Sequence, residues 1–505
     1  MKDTVTEDIA LGGFWNFLLT FFARIGSFFF VFVVAKYLLP ENFGIYSLAV
    51  SIALIILITI DAGINQSLLK YVSEALNKKN KKLATANFRY LFKVKLIVTF
   101  SVGIFLIIFS YPLANNIFHK PQLFLPLIFS SFFILVNSIG NFYSSYFYVI
   151  RQLKYITYKQ IIFEVLRIFG VLGMFLIVSR QHYIIGTFGV LIISMTIAIL
   201  FLFYHLRTIS PFLFEESTTV VDAPQMLKFS LLYSVIGSLL ILFGYIDMIM
   251  IGIFLEASYV GYYTIALAFM TGIWGFLNLS HILLPIFTKL DDIQIHREFN
   301  RLFQYISILA VPAIFGILAL GKYFLIFIDA RYLPAEMPLY ILSVLVFIVP
   351  LIETLTPLFS ARDKLKIIAY GVIIAMIVNI LLNYFLITSL LRISESMAMG
   401  GAALATVVSQ LFYLFILVFY SKKFFNVRLQ LSRIIKPLLA SLIMFFPLLY
   451  INTFVEDFTL FLGIAEIILG FALYFLSLFL IKGIDKVDVI LFKDTFKKFF
   501  KVNKK

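Results

Sequence analysis

The sequence predicts an all-α membrane protein of about fourteen transmembrane helices, arranged as two six-helix lobes related by a pseudo-two-fold axis along the membrane normal, plus two accessory C-terminal helices. Composition is the first observation behind this. Of 505 residues, 62% are hydrophobic and 13% charged, with a mean hydropathy of +1.03, whereas soluble domains are about half apolar and a quarter charged. The second is the recurrence of apolar runs from Phe14 to Ile481, each near the roughly 20 residues that a helix needs to cross a bilayer. The third is the placement of basic residues on alternate connections, which tracks orientation in membrane helices.

The spans are expected to start near Phe14, Phe43, Phe88, Gln122, Gln160 and Tyr183, then Leu227, Val260, Leu302, Leu333, Ile367 and Gly400, and finally Arg433 and Phe458. Strands of a membrane barrel alternate strictly over about 10 residues, and runs such as FLIIFSYPL do not alternate. The first run is expected to remain as a span rather than a cleaved leader, because MKDTVTEDIALGG is no basic n-region. The turn P-E-N-F-G separates the first two spans, with Pro40 ending one helix and Gly44 leaving room for the next. Pro312, Pro350, Pro357, Pro437 and Pro447 fall inside later spans, where each interrupts the local hydrogen-bond ladder.

With the N-terminus inside, 33 of the 41 Lys and Arg residues fall on inner segments, six on outer loops and two, Arg24 and Arg167, within spans. One missed or invented helix would scramble that alternation. Both termini are therefore expected to be cytoplasmic in a multi-pass protein of the cell (inner) membrane. The formal charge of +15 fits a basic face on anionic lipid rather than a nucleic-acid site.

Shifting the chain by 217 positions places Leu38, Gly44, Tyr46 and Ala49 on Leu255, Gly261, Tyr263 and Ala266. The match joins spans one and two in one copy and seven and eight in the other. Six spans per copy is an even number, so the copies insert in the same direction, as parallel repeats do. The expected organisation is an N-terminal lobe over 1–205, a cytoplasmic linker over 206–226, a C-terminal lobe over 227–421, the accessory helices over 422–481 and a basic tail over 482–505.

The stretch AKYLLPENFGIYSLAVSIALIILITIDAGINQSLLKYVSE, and its echo YIDMIMIGIFLEASYVGYYTIALA, resemble the corresponding segments of polysaccharide biosynthesis proteins, the Wzx-type oligosaccharide flippases. That family is grouped with the peptidoglycan lipid flippases and the multidrug extruders in the multidrug/oligosaccharidyl-lipid/polysaccharide exporter superfamily. The resemblance implies transfer of a polyprenyl-pyrophosphate-linked oligosaccharide from the cytoplasmic to the outer leaflet, by alternating access driven by an ion gradient. It implies a lipid-linked glycan as partner, alongside membrane lipids and other polysaccharide-assembly proteins. It implies no cofactor, with H+ or Na+ as coupling ion.

A pyrophosphate in a low-dielectric cavity needs a fixed cation. Asn16, Thr20, Arg24 and Ser27 recur at spacings of 4, 4 and 3, one polar stripe on an apolar helix, and peptidoglycan-type relatives place essential arginines in this helix. The substrate-binding candidates are Arg24, Asn16, Thr20, Arg167, Asn141 and Asn278. Arg167 also follows Glu164 by three residues, which suits an intrahelical pair equally well. The ion-coupling candidates are the intramembrane carboxylates Asp247, Glu353, Glu164 and Asp61. Asp61 reads equally as an interfacial capping group.

With no Cys, thiolate and disulfide chemistry is excluded. The chain shows no phosphate-binding glycine loop, nucleophile elbow or zinc-type His/Glu spacing. Asp291–Asp292 and Glu215–Glu216 read as solvated loop charges. A membrane glycosyltransferase or polymerase is the enzyme alternative, disfavoured by short outer connections. A drug or cation extruder is the other alternative, disfavoured by an arginine where the first span would carry a carboxylate.

Overall fold

The structure is a computed structural model that describes residues 2–216, 218–277, 283, 287–454 and 459–483. Every regular element among the described residues is helical: α1 (Lys2–Ser67), α2 (Ser73–Asn77), α3 (Lys81–Pro112), α4 (Phe124–Val149), α5 (Leu153–Ile177), α6 (Tyr183–Ile209), α7 (Ala223–Phe254) and α8 (Ala257–Leu277), then α9 (Asp292–Ile328), α10 (Glu336–Leu342), α11 (Leu345–Ala361), α12 (Leu365–Leu390), α13 (Glu395–Phe425), α14 (Ser432–Asn452) and α15 (Leu460–Leu480), with short 3-10 and π turns between them. In lipid, only helices satisfy their backbone groups within a single segment.

Ten helices among the described residues are long and apolar enough to cross a bilayer, or eleven with α10 and α11 as one span bent by 46°. The first of the ten, α1, is two arms rather than one rod. Leu39 leaves the helical region at φ 66°, ψ 165° immediately before Pro40. Proline pushes its predecessor out of the α region, and a branched side chain in left-handed backbone adds strain of about 1–3 kcal/mol. The turn read from the sequence is therefore a sharp corner with almost no loop. Several helix starts are capped locally: Asn80 accepts from Leu83 N at 3.0 Å and Asp222 from Gln225 N at 3.1 Å. The Asp291–Asp292 pair is not loop charge, because Asp291 and Gln294 form a reciprocal capping box at 2.8 and 3.1 Å that opens α9.

Two compact units are present, the first Met1–Phe276 with Ala369–Ser409, the second Leu277–Ile368 with Gln410–Lys505. In the first, α1 packs on α4, α5 and α7, while α6 lies against α4 and α5. Ser67 Oγ meets Ser230 Oγ at 2.7 Å between the second arm of α1 and α7, and a Cβ on Gly63 would collide with Ser230 O. Small residues here bring two backbones together, the usual basis of helix association where lipid removes the hydrophobic driving force. Large apolar side chains such as Phe169, Leu176, Ile177 and Leu200 point outward, inverting the soluble pattern.

In the second unit, α14 and α15 pack on α9 around Ile308, Ala319, Leu320, Ala440, Met444, Leu448, Tyr474 and Leu478. Tyr474 donates to Ile308 O at 2.7 Å, so the one polar tip in this cluster is satisfied.

Candidate functional site

Asp247 sits on α7 about two turns before its C-terminal end, 2% exposed. Four neutral donors converge on its carboxylate within the first unit. Asn383 and Asn379, one turn apart on α12, reach Oδ1 at 2.7 and 3.2 Å. Thr406 of α13 and Tyr263 of α8 reach Oδ2 at 2.6 and 3.0 Å. Tyr263 is the repeat partner of Tyr46, so the family turn supplies a ligand to this nest. Among the described residues no Lys, Arg or His pairs with Asp247. Asn379 Oδ1 and Asn383 Oδ1 are also buried without a donor. A carboxylate that is hydrogen-bonded but not charge-balanced, beside two orphaned amide oxygens, is a hard-oxygen setting suited to a proton or a monovalent cation.

Arg24 lies half-buried on the first arm of α1. Its side chain runs across α8, where a Cβ on Gly275 would stand 2.9 Å from Cδ and Nε, and Tyr245 of α7 is within electrostatic reach. Among the described residues no carboxylate forms an ion pair with it. Of its stripe, Asn16 and Thr20 are half-buried, with Thr20 donating to Asn16 O at 2.9 Å, and Ser27 is exposed.

Arg167 is placed differently. Its guanidinium bonds Glu164 Oε2 at 2.5 and 2.7 Å and lies over the rings of Phe30 and Phe163, 4.6 and 4.8 Å from their centroids. Glu164 also accepts from Gln160 at 2.8 Å. Gly26 of α1 is needed here, because any Cβ at that position would meet the Glu164 carboxylate. Lys159 is 5% exposed on α5 and adds positive potential at Glu164.

Asp61 is not an interfacial cap. It is 5% exposed and forms an ion pair with Lys95 of α3, itself fully buried. Ser138 and Asn141 of α4 donate to its two oxygens at 3.0 and 2.7 Å, and Lys95 Nζ also reaches Asn65 Oδ1 at 3.3 Å. Asn141 is therefore committed to Asp61. A lone lysine at the margin of an apolar run, as Lys95 is, carries no signal of its partner, 34 residues earlier. Glu353 lies half-buried on α11 between Pro350 and Pro357 in the second unit. Asn278 lies outside the described residues.

At one end of the first unit the two copies of the sequence turn touch. A Cβ on Gly44 would collide with Ala257 O, and one on Gly261 with Pro40 O. Beside them, Lys120, between α3 and α4, donates to Gly252 O at 2.5 Å, Leu255 O at 2.8 Å and Phe118 O at 3.1 Å. It thereby caps the C-terminus of α7 with a cation, the favourable sign for the helix dipole.

Solved structures share this fold. A lipid II flippase, MurJ, in an inward closed conformation matches with a TM-score of 0.75 at 15% identity, over 92% of this chain and 97% of that one. An inward-facing multidrug resistance MATE family transporter of the MOP superfamily matches with a TM-score of 0.66 at 12% identity, over 80% and 94%. A MOP superfamily transporter from Pyrococcus furiosus matches with a TM-score of 0.54 at 12% identity, over 82% and 95%. No curated protein matches by sequence. Residues 9–291, more than half of the chain, match the family described as polysaccharide biosynthesis protein, which contains both copies of the turn, Arg24 and Asp247, and this multi-pass membrane chain belongs to that family.

Proposed function

We propose that the protein moves a polyprenyl-pyrophosphate-linked oligosaccharide from the cytoplasmic to the outer leaflet by ion-coupled alternating access. The observation that carries the reading is Arg24, a half-buried arginine on the polar stripe of α1 with no carboxylate partner among the described residues. A guanidinium binds phosphate oxygens through two parallel N–H bonds, so Arg24 meets the pyrophosphate and the stripe of Asn16 and Thr20 meets the polar head. Arg167, neutralised by Glu164, serves as a structural tie in this reading. Membership of the polysaccharide family and the fold shared with a lipid II flippase support a lipid-linked glycan over a free cation or drug.

Asp247 carries the coupling ion. The four donors fix the carboxylate in place and the orphaned amide oxygens complete an oxygen-lined nest. Binding of H+ or Na+ neutralises the site, and a ligand shifts the conformational equilibrium only by its difference in affinity between states. The two six-helix lobes of the duplication are the moving bodies, joined by the linker over 206–226. In this reading the two arms of α1 count separately, α7 and α8 individually and α10 with α11 as one, for fourteen spans with both termini in the cytoplasm and other polysaccharide-assembly proteins alongside.

The test is reconstitution of the purified protein in liposomes with a lipid-pyrophosphate oligosaccharide, reading its accessibility in each leaflet. Gradient-dependent transfer, lost in Arg24→Ala at equal protein abundance, is expected. Unchanged leaflet accessibility under both proton and sodium gradients would overturn the proposal.

A further inference from the structure

The second unit holds a carboxyl group that the transport scheme above does not use. Glu466 is the seventh residue of α15, about 9 Å along the helix from its start at 1.5 Å per residue. It is 4% exposed, and neither Oε1 nor Oε2 has a hydrogen-bond partner. The same junction orphans a second oxygen. Asn452, in the last turn of α14 and also buried, spends its amide nitrogen on Ala319 O of α9 at 3.1 Å and leaves Oδ1 without a donor. Tyr323 of α9 reaches the same junction, donating its hydroxyl to the main-chain carbonyl of Asn452 at 3.0 Å while lying within electrostatic reach of Glu466.

Among the described residues, the ionisable groups on the packed elements leave Glu466 without a counter-charge. Besides Tyr323, α9 offers Lys322, whose side chain is exposed, and a charged first third far along the helix. On α14 they are Arg433 and Lys436 at the opposite end and the exposed Tyr450. On α15 itself there is only Tyr474, already bonded to Ile308 O. An ionised carboxylate buried with neither donor nor counter-ion is prohibitively costly. It must therefore carry something.

We propose that Glu466 is a proton-binding site, loaded when α15 packs against α9 and α14 and emptied to water when that packing loosens. The ligand is a proton rather than a metal ion because the oxygens among the described residues are too few. One carboxyl and one amide oxygen fall short of the several oxygen ligands that a hard cation requires. A single proton gives Glu466 a donor in place of a charge and offers that donor to a site with an unfilled acceptor. Release is simple dissociation, the O–H bond breaking and the proton passing to water, with no other reactant. The site shares no residue with the Asp247 nest.

The full-length protein in lipid nanodiscs, wild type and Glu466→Gln, is compared by infrared difference spectroscopy across pH, in sodium and in potassium buffer. Expected is the carbonyl stretch of a protonated carboxyl in the wild type at neutral pH, absent from the Gln variant and equal in both buffers. Glu466→Gln keeps the shape and needs no proton, so it should match wild-type thermal stability only in acid, below the ordinary glutamate range of about 4.3, exceed it at neutral pH, and lose the decline that the wild type shows as pH rises. A carboxylate band at neutral pH that the substitution removes would overturn the proposal. So would a protonated band that emerges only when sodium is withdrawn. Asn452→Leu, which keeps Glu466 and removes the orphaned acceptor, should lower the pH at which the band disappears; an unmoved midpoint would count against the arrangement.

Discussion

Thr406 Oγ1 donates to Asp247 Oδ2 at 2.6 Å across 159 positions of sequence, and Tyr263 donates to the same oxygen at 3.0 Å. A residue of the duplicated turn and a residue of α13 thus hold one face of a carboxylate whose other oxygen is held by α12. If this nest takes the coupling ion, Asp247→Asn removes the charge with little change in shape. Transport in that variant should no longer respond to an imposed ion gradient, while residual gradient-independent transfer persists. Thr406→Val should weaken the response about 10-fold, in line with a lost hydrogen bond to a charged group of roughly 1.5 kcal/mol. Retained gradient dependence in Asp247→Asn would move the coupling site elsewhere.

The buried pair of Lys95 and Asp61 calls for a double-mutant cycle. Lys95→Met alone strands a carboxylate among Ser138 and Asn141, and breaking a buried pair from one side costs about 3–5 kcal/mol. Adding Asp61→Asn should restore most of that loss. Thermal unfolding of the four proteins in detergent reads the coupling, and additive losses would show that the two charges act independently.

Gly44 and Gly261 are constrained by backbone rather than by side chains. Any Cβ would enter the carbonyl oxygen of Ala257 or Pro40, and backbone cannot rotate away as a flexible side chain can. Gly44→Ala and Gly261→Ala should each cost about 1–3 kcal/mol of overpacking and pry the two turns apart. Labelling of cysteines introduced next to the turns measures this. Equal labelling rates with and without the substitutions would mean that the contact is not maintained in the membrane.

Lys120 permits a pH prediction with a definite sign. Burial holds its ammonium below the ordinary lysine range, only partly offset by the negative potential of Glu395 and Glu256. Freed into water, the side chain returns to that ordinary range of about 10.4. The seated form binds protons less readily, so raising pH between the two values favours seating, and the penalty of seating a charge is fully present below the lower one. Hydrogen exchange at the end of α7 should slow as pH rises through that window, after correction for intrinsic rates. In Lys120→Ala exchange there should be faster at neutral pH and lack this trend after the same correction. Identical protection in the two proteins would exclude the cap.

The sequence by itself determined a helical, multi-pass membrane protein, its duplication and the corner at Leu39–Pro40, because apolar length, basic alternation and proline chemistry are local properties read along one strand of text. It also marked Arg24 and Asp247, since a charge inside an apolar run is conspicuous wherever its partners lie. Glu466 was missed although it sits inside a span in the same way, and only its burial without a donor on α15 sets it apart. Partnership was decided by the tertiary structure alone. Nothing in the text joins Lys95 to Asp61, Asn141 to that same carboxylate, or Asn379, Asn383 and Thr406 to Asp247, because the groups that satisfy a buried charge are chosen by which helix faces meet. Whether a marked residue has no carboxylate partner among the described residues, as Arg24 has none, or is already neutralised, as Arg167 is by Glu164, is decided by the packing of those faces.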